Sequence, residues 1–304
     1  MEETQPASKI SVVIVSWNSA DALRRCLGAL ERSTGRENIE IIVVDNGSRD
    51  ESPTVDSEFP NVNLLRLPRN FGVVKAFNIG MRTATGDYFL LLKPEVEVFP
   101  DTVAGLVARL EQTAGASAVA PMLVGPDGNP ALKLRSLPDP LELYRAWRAG
   151  GFQDWQTPTF PEEAIPVGYL SIAALLIRAN FLKGMRYIDE RLANSWWDLE
   201  ICHQVRRAAR KILVLRDVRA VLHPEFDPRG LPPGGRALLS ADLALGAAVF
   251  AGKHYGWWAG LQLRLRAICF ALFSVFRGKD VAFHFARLGN LLSGQRFDGS
   301  QTVL

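Results

Sequence analysis

Cysteine is scarce. Only Cys26, Cys202 and Cys269 occur in 304 residues, far apart and odd in number, which argues against a disulfide framework and a CxxC metal site and suits a reducing cytoplasm. Long apolar runs are missing as well, since no uninterrupted stretch reaches the length that spans a bilayer. The opening residues, MEETQPASK, have neither the basic nor the apolar region of a secretory signal, so export is not expected. No GxGxxG follows the first apolar run and no GxxxxGKS or GxxxxGKT occurs, so the usual dinucleotide fingerprint and the P-loop are both absent. A net charge of +3 and a pI near 8.8, without a basic segment interleaved with aromatics, give no reason to expect nucleic acid as a partner.

What is present is 48% apolar residues, enough to fill one large α/β domain or two smaller ones. The central stretch is Gly86 to Pro100, GDYFLLLKPEVEVFP. Tyr88 to Leu92 form the apolar run that a strand buried on both faces requires, and charge follows at once in Lys93, Glu95 and Glu97. Similar runs at Ser11 to Ser16, Ile39 to Val44 and Asn63 to Leu67 alternate with helical spacings at Asp21 to Arg32 and Val74 to Thr83. That alternation predicts a doubly wound, mostly parallel sheet with flanking helices. Ligands of such sheets bind outside the carboxyl ends of the strands, where Asp45 and the Lys93 to Glu97 segment fall. A solvated acidic turn would also explain Glu95 and Glu97.

Further on, Gly150 to Pro166 reads as a long irregular loop and Tyr169 to Ile177 as a strand. Ser195 to Arg210 reads as an amphipathic helix, with Cys202 in its core face and His203 on the surface. Short strands are expected at Lys211 to Leu215 and Val218 to Leu222. The Pro/Gly-rich segment Arg229 to Gly235 is expected to end the globular part and lead into a helical tail. The expected boundaries are 1–228, divided at 120/121, and 229–304.

Several ordered motifs between Ile10 and Glu225 resemble the inverting glycosyltransferases of the large family two, with a GT-A fold, in the style of bacterial rhamnosyltransferases. These are VVIVSWN, VVDNGSRD, RNFGVVKAFNIGM, LLLKPEVEV, PVGYLSIAALLIR, WWDLEICHQVRRA and AVLHPE. The resemblance implies a nucleotide-diphosphate sugar as donor and a glycan or lipid-linked acceptor, in bacterial cell-surface polysaccharide synthesis. It implies substrate and nucleotide contacts at Ser16, Asn18, Asp45, Asn70, Gly72, Asn78, Lys93, Ser171 and Arg135. It also implies Glu95, Glu97 and His223 around a divalent cation, Mn or Mg, and Asp198 as the base. A hard cation neutralises the leaving pyrophosphate, and a carboxylate removes the acceptor's proton. Three residues depart from the family pattern: Lys93 stands where Asn or Asp is usual, Glu95 where Asp is usual, and Trp197 where the first acid of a Glu-Asp pair would be. Lys93 could itself pair with the pyrophosphate and reduce dependence on metal.

Structural readings stay open beside these. Ser195-x-x-Asp198 has the spacing of a helix capping box, Asp45 could form an Asx turn, and His223 could simply end a strand. A non-catalytic sugar-nucleotide-binding or scaffold protein is the alternative of another class. A nucleotidyltransferase would share the sheet and acidic pair but leave WWDLEICHQVRRA without a role. In the tail, Trp257, Trp258, Arg266 and Arg277 surround an apolar segment of ten residues, Ala267 to Phe276, too short to cross a bilayer. That pattern fits a helix lying on the cytoplasmic membrane face, with packing on the core or in a homodimer as the alternative.

Overall fold

The protein is described here by a computed structural model covering residues 8–224, 231–277 and 280–298. The four apolar runs become strands β1 (Ile10–Ser16), β2 (Ile39–Asp45), β3 (Val62–Arg66) and β4 (Tyr88–Leu92), with α1 (Ala20–Glu31) and α2 (Val73–Thr83) between them. Every residue of β4 is buried and β1 and β2 nearly so, as continuous aliphatic runs require when both faces of a parallel sheet are covered. Helix α2 lies directly on β1 and β2. A Cβ on its Gly80 would sit 2.5 Å from Val13 Cγ1 and 3.0 Å from Val44 Cγ2, so only glycine permits that approach.

Beyond β4 come β5 (Val96–Val98), α3 (Thr102–Gln112), β6 (Ala116–Val124), β7 (Leu134–Arg135) and α4 (Pro140–Ala149). Strands β8 (Ala164–Pro166), β9 (Tyr169–Leu170) and β10 (Ala174–Arg178) follow, then α5 (Ala179–Gly184), α6 (Trp197–Arg207) and β11 (Lys211–Leu222). The main sheet runs β3-β2-β1-β4-β10-β6-β11-β5, with β8 on β11. Strands β3, β2, β1 and β4 are mutually parallel, as are β6 and β11; β10, β5 and β8 enter antiparallel. The expected α/β architecture is therefore present, with a mixed second half.

Two expectations are corrected. The strand read at Tyr169 to Ile177 is broken at Ser171–Ala173, so that β9 pairs with β7 while β10 joins the main sheet. The two strands read at Lys211 to Leu222 are one bulged strand whose register against β6 shifts between Leu215 and Arg219.

The tail forms α7 (Pro233–His254), α8 (Trp257–Phe276) and α9 (Val281–Ser293), packed on one another and on α4. The expected boundary at 228/229, and Glu225 at the end of AVLHPE, lie outside the described residues. Helix α7 belongs to the protein interior: Ala247, Phe250 and Ala251 join the sheet's own core, and the Trp147 and Trp196 indoles donate to the Ser240 and Leu243 carbonyls at 2.8 Å. By length and composition both α7 and α8 could cross a bilayer, which a search for uninterrupted runs misses because Arg264 and Arg266 divide α8. In α7 61% of the most apolar window is buried within the protein, against 28% in α8, so the unpartnered apolar surface belongs to α8.

Candidate active site

The carboxyl ends of β1, β2 and β4 lie side by side, Ser16 opposite Asp45 and Ile14 opposite Leu92. The chain proceeds from β1 outward through β2 and β3, then returns to add β4 on the other side of β1. A crevice opens at such a reversal. It is occupied here by a cavity of about 410 Å³, lined by Trp17, Asn46, Asn70, Lys93, Pro94, Glu95, Asn194 and Trp197 among others. Sequence reasoning placed Asn70, Lys93 and Glu95 here.

Around this cavity the loop after β2 is held tightly. Gly47 has φ +76°, and a Cβ there would fall 2.5 Å from the Arg69 backbone. Asn70 Oδ1 accepts from Asn46 Nδ2 (3.0 Å) and from the Gly72 amide (2.8 Å), while Asn46 Oδ1 accepts from the Phe71 amide. Asp45 is 2% exposed. Its Oδ2 accepts from the Ser48 amide, its Oδ1 has no hydrogen-bond partner among the described residues, and burial raises its pKa above the ordinary carboxylate value. An unsatisfied buried carboxylate oxygen at a ligand edge is the kind of group that an incoming N–H would satisfy.

Other predicted contacts are spent within the fold. The Ser16 hydroxyl pairs with Ser19, and Asn18 Oδ1 accepts from the Arg49 amide. Asn78 clamps α2 to residue 188, donating to the Ile188 carbonyl at 2.8 Å and accepting from the Ile188 amide at 3.1 Å. Gly72, with φ +89°, brings the chain against the Ala193 carbonyl. The Ser171 amide donates to Lys133 O. Arg135 is 5% exposed, paired with Glu142 (3.0 Å) and Asp154 (3.2 Å), and stacked 3.8 Å over Phe152. Of this set only Asn70 and Lys93 line the cavity.

Of the three predicted metal ligands, Glu95 lines the cavity, while His223 Nε2 lies 2.9 Å from Glu97 Oε2 and the His223 amide donates to Glu95 O. Among the described residues no three His, Cys, Asp or Glu side chains form a metal cage. The residues present fit a smaller role: one protein carboxylate, Glu95, sharing a hard cation with phosphate oxygens.

Asp198 lies in the first turn of α6, beside the cavity residue Trp197. Its Oδ2 accepts from the Tyr169 hydroxyl at 3.0 Å and its Oδ1 from the Leu199 amide at 2.8 Å. Burial raises its pKa, opposed by these two donors and by the Lys93 charge; the Tyr169 phenol is pushed well above its usual value by burial and by Asp198. The capping-box reading fails. Trp196 occupies the cap position with φ +63°, without a side-chain cap, and Ser195 Oγ turns to the Asp242 carbonyl. Asp198 is thus a half-buried carboxylate within electrostatic reach of Lys93.

Two residues later Glu200 is fully buried and binds His254 (2.6 Å), Lys253 (2.8 Å) and Gln204 (2.9 Å), fastening α6 to α7. These donors outweigh burial and hold its pKa at about 2. His203 is half-buried rather than superficial. It stacks 3.9 Å from His254, and burial with that neighbour lowers its pKa to about 4. Sequence reasoning missed Tyr169, Asn46 and two tail residues on the cavity wall, Leu239 and Phe297. The Phe297 ring meets Trp17 edge-on at 5.7 Å and its carbonyl accepts from Asn194. Asn46 was signalled by its position after a strand terminus; the tail contacts had no local signal.

Comparison with known proteins bears on the family and the fold. The family described as Glycosyl transferase family 2 matches residues 11–164. N-acetylglucosaminyl-diphospho-decaprenol L-rhamnosyltransferase of Mycobacterium tuberculosis is 26% identical over 278 residues, covering 84% of this chain and 89% of that protein. Among solved structures, S. aureus TarS 1-349 in complex with UDP-GlcNAc superposes with a TM-score of 0.56 at 17% identity, over 94% of this chain and 92% of that one. GalNAc-T7 with UDP, GalNAc and Mn2+ gives 0.59 at 20% identity, over 74% and 45%. At these identities the structural likeness speaks for the fold, the expected GT-A architecture.

Proposed function

The chain belongs to glycosyl transferase family 2, and from that premise we propose that this glycosyltransferase moves a sugar with inversion from a nucleoside diphosphate sugar to a lipid-linked glycan, in bacterial cell-surface polysaccharide assembly. The observation that carries the reading is the half-buried Asp198, its pKa raised by burial, beside a strand-edge cavity holding Lys93 and Glu95. The named acceptor of the mycobacterial relative and the UDP-GlcNAc of the TarS complex support the two substrate classes.

The donor's base and ribose would occupy the cavity between Trp17, Asn46 and Asn70, with the open oxygen of Asp45 as a base contact. Lys93 would face the diphosphate, where an ammonium offsets developing charge. A divalent cation held by Glu95 and the donor phosphates, of the kind present in the GalNAc-T7 structure, supplies further neutralisation when bound. Asp198 Oδ would take the acceptor hydroxyl's proton as that oxygen attacks the anomeric carbon, whose bond to the diphosphate oxygen breaks so that the nucleoside diphosphate leaves from the opposite face. The raised pKa of Asp198 makes it a stronger base than an ordinary carboxylate. Tyr169 fixes the carboxylate's orientation. The exposed Trp257, Trp258, Phe276 and Phe285 support a tail resting on the cytoplasmic membrane face, where a lipid-linked acceptor resides.

Asp198→Asn tests the base. Transfer should fall by about 10²- to 10⁴-fold with nucleotide binding nearly intact, and unchanged turnover would refute the assignment.

A further inference from the structure

Arg287 of α9 is 6% exposed, yet its Nε and Nη2 have no hydrogen-bond partner among the described residues. Three aromatic rings surround its guanidinium: Trp147 at 5.2 Å, Phe270 at 5.3 Å and Phe283 at 5.4 Å. Arg148 stacks at 4.6 Å on the same Phe270, and Arg236 at 6.0 Å on the same Phe283. None of the three arginines makes an ion pair among the described residues. A buried cation without a carboxylate is costly to keep unless an anion completes it. Burial pulls the Arg287 pKa down to about 10, and the phenol of Tyr144, with no carboxylate, is its electrostatic neighbour. Throughout residues 233–293 the acids are Asp242, bonded to Arg296, and Asp280.

The surroundings identify the anion's source. One turn beyond Phe270, Phe273 is 56% exposed and carries Arg277 at 4.9 Å, and Phe276 next to it is 80% exposed. Guanidinium groups interleaved with exposed apolar rings on an acid-poor helix pair match the phosphate and acyl layers of a membrane interface.

We propose that Arg287, Arg148 and Arg236 form a binding site for the phosphate of an anionic phospholipid headgroup, seated between α4 and the tail. The proposal rests on the reading that the tail meets the membrane. It extends that reading from adhesion to recognition of charge.

The test is flotation of the full-length protein with phosphatidylcholine vesicles, with and without phosphatidylglycerol, at one ionic strength. Wild type should prefer the anionic vesicles. R287M should lose about fivefold of that preference, and the R148Q/R236Q double variant about 25-fold, at roughly 1 kcal/mol per arginine converted to binding. R287M should melt at or above the wild-type temperature, because an apolar side chain replaces a buried unpaired cation. Inorganic phosphate should compete no better than chloride at equal ionic strength. Wild-type-like preference in the variants overturns the site, as does a phosphate-specific thermal shift that R287M abolishes without any vesicle preference, which would mark a free-phosphate site. Equal flotation with both vesicle types sinks this site while leaving the membrane reading in place. No flotation with either removes both.

Discussion

Removing one oxygen from Tyr169 separates a proton acceptor from a merely structural carboxylate at Asp198. The Tyr169 hydroxyl donates to Asp198 Oδ2 at 3.0 Å and therefore stabilises the charged carboxylate, so it lowers a pKa that burial raises. Tyr169→Phe keeps the ring, which is 3% exposed and packed edge-on against Phe152 at 6.0 Å. The Leu199 amide and the Lys93 charge also remain. A hydrogen bond to a charged group contributes about 1.5 to 3 kcal/mol, and Asp198 is partly accessible to water, so the low end applies. That corresponds to a rise of about one pKa unit. The acid limb of kcat/KM against pH should accordingly move up by about one unit. The plateau above that limb should change by less than about threefold, because the deprotonated carboxylate only becomes slightly more basic. An acid limb that stays in place, or activity that falls equally at every pH, would refute Asp198 as the group that must be deprotonated for transfer.

Glu200→Gln should destabilise the protein by about 3 to 5 kcal/mol, read as a drop in Tm at pH 7, because it removes a buried charge that three donors face. The folded-state pKa of Glu200 is depressed to about 2, so its contribution is complete above the ordinary value of about 4.3 and is lost as pH falls toward 2. The variant's Tm should therefore decline less steeply than wild type between those limits, and parallel curves would contradict the pairing. At the cavity, transfer in excess chelator should fall but persist, and Lys93→Met should abolish the residue. Complete loss that manganese restores would show that Lys93 does not stand in for a cation.

The sheet was legible where one chemical pattern decided the outcome. Tyr88 to Leu92 begins and ends where the apolar run does, because both its faces are buried and a charge can stand only outside the sheet. The interruption at Ser171–Ala173 was not legible, since an apolar run looks the same whether it continues in one sheet or leaves it for another. Lys93 and Glu95 were found through their position at a strand end, and Asn70 through the family motif that follows the third strand. Asn78 and Arg135 were expected as ligand contacts from the family resemblance, and their polar atoms meet the Ile188 backbone and the Glu142 and Asp154 carboxylates. A sequence does not say which of two partners a polar group will meet. The Ser195 cap failed for a local reason, because Trp196 takes a left-handed conformation that the spacing of Ser195 and Asp198 does not encode.

The edge-on contact between Trp17 and Phe297 joins the first strand's loop to a segment more than 270 residues later, on the wall of the cavity proposed for the nucleotide. If the donor binds there as proposed, donor affinity and tail docking share a free energy, and linkage makes the exchange symmetric. If the docked tail tightens nucleotide binding by some factor, bound nucleotide tightens tail docking by the same factor. An enzyme so built would carry news of its donor to its C-terminus, so that protease protection of the tail becomes a readout of an occupied cavity at the far end of the chain.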